Sequence, residues 1–373
     1  MQYSGAAMRT SRRAALLAAI SGVAGVAGVA PAFAKPASLQ DFLDSFVQRQ
    51  KLPGAVLRIT GPRGTAEAVA GVAEVQRREP VTPRTRFYIA SAGKLATAAA
   101  VLQMVEEGKL RLNEPVYPLV RDTSGIRRLR NIHRVTLEQL LKHRSGLAEY
   151  YTDDFEKAAA AAPRKVFGAA ESLAFAYDQE PESRPGREHS YTNTNYVVLG
   201  LVAEAVDQMP FARVLQRRIF DRLGMTATTV GAKAAERDLA HGYTAGARGR
   251  LADVSFSGWN AVTGDGALVS TASDCEKFIL ALMRDGKVLP RPAVARMCRV
   301  QAEEPESGYG LGCTIDDTPW GEAWGHNGSI PGFQADAWFL PKRRISVVFF
   351  ANGDFEDEEA EVVVPAVRAY LKR

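Results

Sequence analysis

Cysteine is scarce in this chain of 373 residues, with only three, at Cys275, Cys298 and Cys313. They form no C-x-x-C pair and have no metal-ligand spacing, which excludes a disulfide scaffold and a cysteine-based metal site. Three thiols allow at most one disulfide, so we expect buried free cysteines. We expect no metal and no other cofactor.

Motifs of several common enzyme classes are also missing. Ile89 stands two residues before Ser91, where the nucleophile elbow of an α/β-hydrolase requires glycine. The five histidines form no H-E-x-x-H pair, and phosphate-binding loops of the P-loop or Rossmann type are absent. These absences exclude α/β-hydrolases, zinc peptidases of that type and common nucleotide-binding enzymes.

Net charge gives little indication of a polyanionic partner. The formal charge is +5, but residues 1–34 contain three arginines and no acid, so the remaining chain carries only +2. A solvated surface is the first interpretation of the local basic cluster, and contact with an anionic polymer is the second. The cluster consists of Arg121, Arg127, Arg128, Arg130, His133 and Arg134. We predict no nucleic-acid partner.

The first 34 residues are typical of an export signal. Arg12 and Arg13 precede a weakly hydrophobic run, as in a twin-arginine signal, and Ala32–Ala34 forms an A-x-A cleavage site without a lipoprotein cysteine. The alternative is an uncleaved anchor, but glycine, serine and proline interrupt the ~20-residue apolar span that a transmembrane helix needs. We expect a periplasmic or secreted chain that begins near Lys35 and has no stable membrane anchor.

Hydrophobic periodicity predicts strands near both ends of the mature chain and helices between them. The predicted strands are 55–60, 65–75, 309–314, 334–340 and 345–350; the predicted helices are 39–49, 92–107, 137–142, 166–177, 196–206, 211–222 and about 359–371. This order predicts a mixed α/β fold, in which an antiparallel sheet built from both chain ends is flanked by helices. Within 35–373, the α/β part covers about 35–90 and 265–373, and the helical part about 91–264.

The first pattern with catalytic potential is Ser91 followed by Lys94. The i, i+3 spacing at the start of an apolar helix places both side chains on one face. A lysine that is partly desolvated loses its proton more easily and can activate a serine. A surface cap beside a solvated lysine is the alternative interpretation.

The second pattern is Tyr191 followed by Asn193. In an extended loop these two side chains point the same way. A tyrosinate near a lysine is a workable general base, and a carboxamide can hold a substrate carbonyl. The alternative is a half-buried tyrosine beside a turn-forming asparagine.

The third pattern, Trp324–Phe333, precedes a predicted strand and contains His326, Gly328 and Ser329. Gly328 permits close approach of a ligand, and the N–H groups of Ser329 and Ser91 can form an oxyanion hole. An ordinary histidine pKa of about 6.5 would leave His326 partly charged and able to contact a substrate carboxylate. A glycine-rich hairpin turn with a satisfied histidine is the alternative.

Together, the three patterns resemble the serine β-lactamase and penicillin-binding protein superfamily, and above all its class C β-lactamase-like branch. That branch includes D-alanyl-D-alanine carboxypeptidases, D-aminopeptidases and esterases. Supporting stretches lie at 140–147, 219–225 and 268–274, so the resemblance covers the chain after residue 38. His326 replaces the lysine of many members, which argues against efficient β-lactam hydrolysis, and Asn195 stands where relatives often have glycine.

The resemblance implies a role for each residue. Ser91 would be acylated, Lys94 would be its partner and Tyr191 would transfer protons. Asn193, His326, Gly328 and Ser329 would bind a small-molecule or peptidoglycan-derived substrate. The implied function is hydrolysis of D-amino-acid peptides or amides, esters or β-lactams through an acyl-enzyme. The alternative is a penicillin-binding sensor that stays acylated.

Overall fold

Antiparallel strands from both ends of the chain form the main sheet. The computed structural model describes residues 38–163, 165–231, 238–246, 250–255, 261–300, 308–355 and 361–372. Its strands are β1 (Gly54–Gly61), β2 (Gly64–Glu74), β3 (Glu79–Pro80), β4 (Phe87–Tyr88), β5 (Thr229–Val230), β6 (Tyr243–Ala245), β7 (Leu251–Asp253), β8 (Leu268–Ser270), β9 (Thr314–Thr318), β10 (Gly321–Ile330), β11 (Phe333–Leu340) and β12 (Ile345–Ala351). The main sheet has the order β3-β2-β1-β12-β11-β10-β9.

The central pairing joins the two chain ends directly. β1 and β12 are antiparallel, with Ala55 opposite Ala351, and a tight turn connects β1 to β2. In β12, Phe349 faces one hydrophobic core while Phe350 faces the other. Burial of both faces explains the nearly continuous apolar sequence of this strand. The predicted fold class is confirmed.

Helices cover both faces of this sheet and fill the middle of the chain. They are α1 (Leu39–Arg49), α2 (Lys94–Glu106), α3 (Tyr117–Val120), α4 (Leu137–Leu141), α5 (Asp153–Ala161), α6 (Ala169–Leu173), α7 (Asn193–Asp207), α8 (Phe211–Leu215), α9 (Asp221–Leu223), α10 (Ala272–Ile279), α11 (Arg291–Met297) and α12 (Val363–Lys372). α1 and α12 pack on one face, where Phe46 meets Phe349 edge to face. α2 is buried from Lys94 to Met104, which explains its alanine-rich, uniformly apolar sequence.

Several sequence-based element boundaries are wrong. The helix predicted over 166–177 is α6, Ala169–Leu173, followed by a 3₁₀ turn, Ala174–Ala176. α7 begins at Asn193 rather than at 196, so Asn193 belongs to a helix and not to an extended loop. The motif at 324–333 lies largely inside β10, a strand whose glycines and polar residues hide its period. The predicted strand over 309–314 is reduced to a single bridge between Tyr309 and Thr314, because the chain turns at Gly312 with φ of +81°.

The predictions for the N-terminal segment, residues 1–34, lie outside the described residues. Within the described ranges, no helix is both long enough and apolar enough to cross a bilayer. The three cysteines are buried free thiols. In the basic cluster, Arg128 forms an ion pair with Asp178 and Arg130 with Glu180. The division into an α/β part and a helical part stays a prediction.

Candidate active site

Ser91 and Lys94 meet at the buried start of α2. Ser91 lies in a short 3₁₀ helix, Ala90–Gly93, and Lys94 is the first residue of α2. Ser91 is partly exposed, whereas the Lys94 side chain is fully buried. Lys94 Nζ lies 2.9 Å from Ser91 Oγ. The structure therefore brings the two residues of the first pattern into direct contact.

Lys94 has two further oxygen partners that cannot donate hydrogen bonds. Its Nζ lies 2.8 Å from Asn193 Oδ1 and 2.5 Å from the backbone carbonyl of Asp265. Two N–H groups of Lys94 therefore point at these carbonyl oxygens in either protonation state. The third site on Lys94 Nζ faces Ser91 Oγ. An ammonium donates a proton to the serine oxygen there, and a neutral amine accepts the proton of the serine hydroxyl through its lone pair. Proton transfer from Ser91 to Lys94 can leave the other two bonds intact.

Asn193 is held in place by a partly buried acid, Glu149. Its backbone N–H and its Nδ2 both donate to Glu149 Oε2, at 2.7 and 3.1 Å. This contact fixes the carboxamide so that Oδ1 faces Lys94. Burial raises the pKa of Glu149 above its ordinary value. One hydrogen of Nδ2 is thus already engaged by Glu149, and an amide nitrogen has a second hydrogen that can be donated to a carbonyl oxygen.

Tyr191 lies beside this pair and is oriented by its ring rather than its hydroxyl. Its ring centroid is 5.1 Å from Lys94 Nζ. The ring stacks on His143 with centroids 4.1 Å apart. Among the described residues, the buried Tyr191 hydroxyl has no hydrogen-bond partner. A phenol near an amine, whose hydroxyl has no other partner in the described part of the chain, is suited to proton transfer.

β10 runs against the 3₁₀ helix that carries Ser91. A Cβ atom at Gly328 would lie 2.4 Å from the carbonyl oxygen of Ile89 and 2.8 Å from the backbone nitrogen of Ser91. Only glycine permits this approach. The next residue, Ser329, is exposed, and its Oγ accepts from Gln334 Nε2 at 3.0 Å. The structure thus brings the third pattern next to the first.

His326 lies on the same strand, but the expectation that it is partly charged is wrong. The side chain is fully buried, with Nδ1 2.5 Å from the Asn327 carbonyl and Nε2 3.1 Å from the Tyr309 hydroxyl. The carbonyl requires a proton on Nδ1, so Nε2 accepts from Tyr309. Burial, reinforced by the Lys94 charge, lowers the pKa of His326 to about 3. His326 is neutral at physiological pH.

Sequence reasoning misses Asp265, whose carbonyl binds Lys94. The Asp265 side chain is held by the Tyr150 hydroxyl at 2.6 Å. The flanking Gly264 and Gly266 lie close to the backbone of neighbouring segments. A Cβ atom at Gly266 would lie 2.7 Å from the carbonyl oxygen of Ala90. The G-D-G triplet is the one sequence signal of this close approach. Across the described ranges, no group of histidine, cysteine and acidic residues is arranged to hold a metal ion.

Comparison with known proteins places the chain in a family. The family model described as Beta-lactamase matches residues 39–372, so the chain belongs to the beta-lactamase family. The family resemblance is confirmed. The chain is 25% identical over 350 residues to an unguisins hydrolase, ungD', of Aspergillus campestris, covering 86% of this chain and 63% of that protein. It is 27% identical over 337 residues to a D-aminopeptidase of Brucella anthropi, covering 87% and 61%.

Two solved structures share the fold over nearly their whole length. A D-stereospecific amidohydrolase from Streptomyces sp. has a TM-score of 0.75 and 27% identity, covering 90% of this chain and 98% of that one. A D-amino acid amidase from Ochrobactrum anthropi SV3 has a TM-score of 0.75 and 26% identity, covering 90% and 95%. By contrast, the chain spans about three fifths of the length of the curated relatives it matches.

Proposed function

We propose that the chain is an exported serine hydrolase that cleaves amide bonds of D-amino-acid compounds through an acyl-enzyme on Ser91. The observation that carries this proposal is the contact of Lys94 with Ser91 and with two carbonyl oxygens. The D-aminopeptidase, the D-stereospecific amidohydrolase and the D-amino acid amidase support this substrate class. Esters, D-alanyl-D-alanine peptides and β-lactams are further candidate substrates.

Acylation would begin with attack of Ser91 Oγ on the substrate carbonyl carbon. Acylation requires the amine form of Lys94, to which the hydroxyl proton passes, while Asn193 and Asp265 keep the remaining N–H groups of Lys94 in place. The N–H groups of Ser91 and Ser329 stabilise the oxyanion. The C–N bond then breaks, and the leaving amine takes a proton that returns from Lys94 through the Tyr191 hydroxyl.

Deacylation would reverse these roles with water as the nucleophile. Tyr191 passes its hydroxyl proton to Lys94 as it accepts one from the water, the resulting hydroxide attacks the ester carbonyl, and Ser91 Oγ leaves with the proton that Lys94 received. The Tyr191 hydroxyl has no partner among the described residues and is therefore available to the attacking water, which supports turnover. A stable penicillin adduct is the competing function. It is supported by a solved penicillin binding protein from Bacillus halodurans with a TM-score of 0.74 and 26% identity.

The test is covalent labelling followed by a substrate panel. Incubation with a fluorophosphonate or a penicillin, then peptide mass spectrometry, should place the label on Ser91 and not on Ser91→Ala. Turnover should be faster for a D-amino-acid amide than for its L-enantiomer. Label on another serine would overturn the mechanism. A penicillin adduct without turnover of any amide, ester or nitrocefin would favour the sensor.

Export is tested by reading the N-terminus of the native protein. We expect the first 34 residues to be absent, so that the chain begins at or near Lys35 in a periplasmic or culture fraction. Replacing Arg12 and Arg13 by lysine should block export if the segment is a twin-arginine signal. An intact Met1 in a membrane fraction would favour an anchor instead.

A further inference from the structure

Asn195 is a fully buried polar residue in the first turn of α7, and it has no contact with Ser91 or Lys94 among its hydrogen bonds. Its Oδ1 accepts a hydrogen bond from Ser145 Oγ, and its Nδ2 lies 3.1 Å from His143 Nδ1. Burying a carboxamide is unfavourable unless its polar atoms are paired. The two contacts satisfy this requirement, and they also connect Asn195 to a histidine beside the site.

The backbone determines the direction of every hydrogen bond in this network. The N–H of Thr192 points at His143 Nδ1 from 3.2 Å, and a backbone N–H can only donate. Nδ1 is therefore an acceptor, and Asn195 must face it with Nδ2. At the other end, the N–H of Leu147 donates to Ser145 Oγ at 3.0 Å, so the serine proton goes to Asn195 Oδ1. His143 consequently carries its proton on Nε2.

His143 supports the ring of Tyr191. The two rings are stacked, with centroids 4.1 Å apart and planes inclined by 27°. The Tyr191 hydroxyl has no partner in the described part of the chain, so ring packing has to set the direction of this side chain. Burial, followed by the Lys94 charge, holds the pKa of His143 well below its ordinary value. The titratable groups that face His143 are Lys94, Tyr191, Tyr196, His189, Tyr309 and His326.

We infer that Asn195 is a positioning residue for proton transfer: together with the Thr192 N–H it keeps His143 as the Nε2–H tautomer, in the stack that holds the Tyr191 ring beside Lys94. This inference rests on the role proposed above for Tyr191. Asn195 acts through His143 and does not touch the reacting atoms.

The test compares Asn195→Asp with Asn352→Asp. Both asparagines are fully buried, but Asn352 binds backbone carbonyls at the end of β12. The carboxylate introduced by Asn195→Asp cannot donate to His143 Nδ1 and favours a protonated His143. We expect this variant to lower kcat by about 10- to 100-fold at nearly unchanged KM, with an additional ionisation in the kcat pH profile. Asn352→Asp should change stability without changing the shape of that profile.

If Asn195→Asp matches Asn352→Asp in kcat per folded molecule and in pH profile, Asn195 is only structural and the inference fails. Should Asn195→Asp not fold, ¹⁵N-histidine NMR of the wild-type protein decides, with the His143 signals identified by their loss in His143→Phe. A neutral Nε2–H tautomer between about pH 5.5 and 8.5 is expected. An Nδ1–H tautomer or an imidazolium would overturn the inference. Failure of the proposed function is recognised separately, because wild-type Ser91 would then not be labelled.

Discussion

The hydroxyl of Tyr309 lies 3.1 Å from Nε2 of His326, deep beside the strand that approaches Ser91. With Nδ1 bonded to the Asn327 carbonyl, both ring nitrogens of His326 are engaged within the protein. A histidine held in this way supports β10 as a neutral, rigid element and does not offer a charge to substrate. This arrangement makes definite predictions about pH.

The first prediction concerns acid stability. The pKa of His326 is near 6.5 in the unfolded chain and about 3 in the folded one. Below pH 6.5 the unfolded state binds the proton and the folded state does not, so stability falls as pH decreases from 6.5 towards 3. His326 alone should lower the free energy of unfolding by about 2 kcal/mol between pH 7 and pH 5.

Urea denaturation of the wild type and of His326→Gln at both pH values measures this contribution. Glutamine can still accept from Tyr309 but cannot bind a proton in this range. The variant should therefore lose less stability on acidification. An equal loss in the two proteins would show that His326 titrates normally.

The second prediction concerns substrate charge. Because His326 stays neutral, the change of kcat/KM between pH 6 and pH 8 should be the same for a substrate with a free carboxylate and for its neutral ester. Parallel pH profiles are the expected result. A steeper decline for the carboxylate substrate alone would mean that a partly charged His326 contacts it.

The third prediction concerns Tyr191. Phenylalanine keeps the ring and its stack on His143 but removes the hydroxyl. Tyr191→Phe should lower kcat by about 10²- to 10⁴-fold, the usual contribution of a positioned acid or base. Thermal unfolding should hardly change, because the hydroxyl has no partner in the described residues. Activity within a few-fold of wild type would restrict Tyr191 to packing.

How much of the candidate site can be predicted from the sequence depends on whether a residue contributes its side chain or its backbone. Ser91 and Lys94 act through their side chains at a fixed i, i+3 spacing, so the pattern is visible before folding. Asp265 contributes a backbone carbonyl to Lys94, which any residue type can supply, so only the flanking glycines of the G-D-G triplet mark this position in the sequence. The neutral state of His326 depends on burial by distant segments, which local spacing does not reveal.

The same reasoning applies to the fold. β1 and β12 are recognisable by their apolar runs, although nearly 300 residues separate them. The start of α7 at Asn193 is hard to predict because it depends on a tertiary contact with Glu149. β10 escapes prediction because Gly325 and Gly328 are there for close backbone approach rather than strand propensity.

The fourth prediction concerns Asp336 on β11, a partly buried carboxyl whose Oδ1 accepts from Trp338 Nε1. Burial raises its pKa to about 6. The folded state then binds a proton more tightly than the unfolded one, so stability declines as pH rises from about 4 through 6. Asp336→Asn keeps an acceptor for Trp338 and should raise stability by about 1–3 kcal/mol at pH 8.

Denaturation of Asp336→Asn and the wild type at pH 4 and pH 8 checks this sign. The gain should disappear at pH 4, where the wild-type carboxyl is protonated. Asp178→Asn is the control, because Asp178 is exposed and its pKa is lowered by Arg128, so this change should give no gain at pH 8. A variant no more stable than wild type at pH 8 would contradict the raised pKa.

The last prediction concerns Gly328. A methyl group there would overlap the carbonyl of Ile89 and the amide of Ser91, both backbone groups that cannot rotate away. Gly328→Ala must therefore move β10 away from Ser91 and separate the two proposed oxyanion donors. Losing one such donor costs about 10²- to 10³-fold in kcat.

Gly168→Ala is the matched control, since a methyl group there comes no nearer to a neighbour than 3.9 Å. We expect Gly168→Ala to retain activity and Gly328→Ala to lose it while both remain folded by circular dichroism, because the misplacement is local. Full activity in Gly328→Ala would mean that the approach of β10 to Ser91 plays no part in turnover.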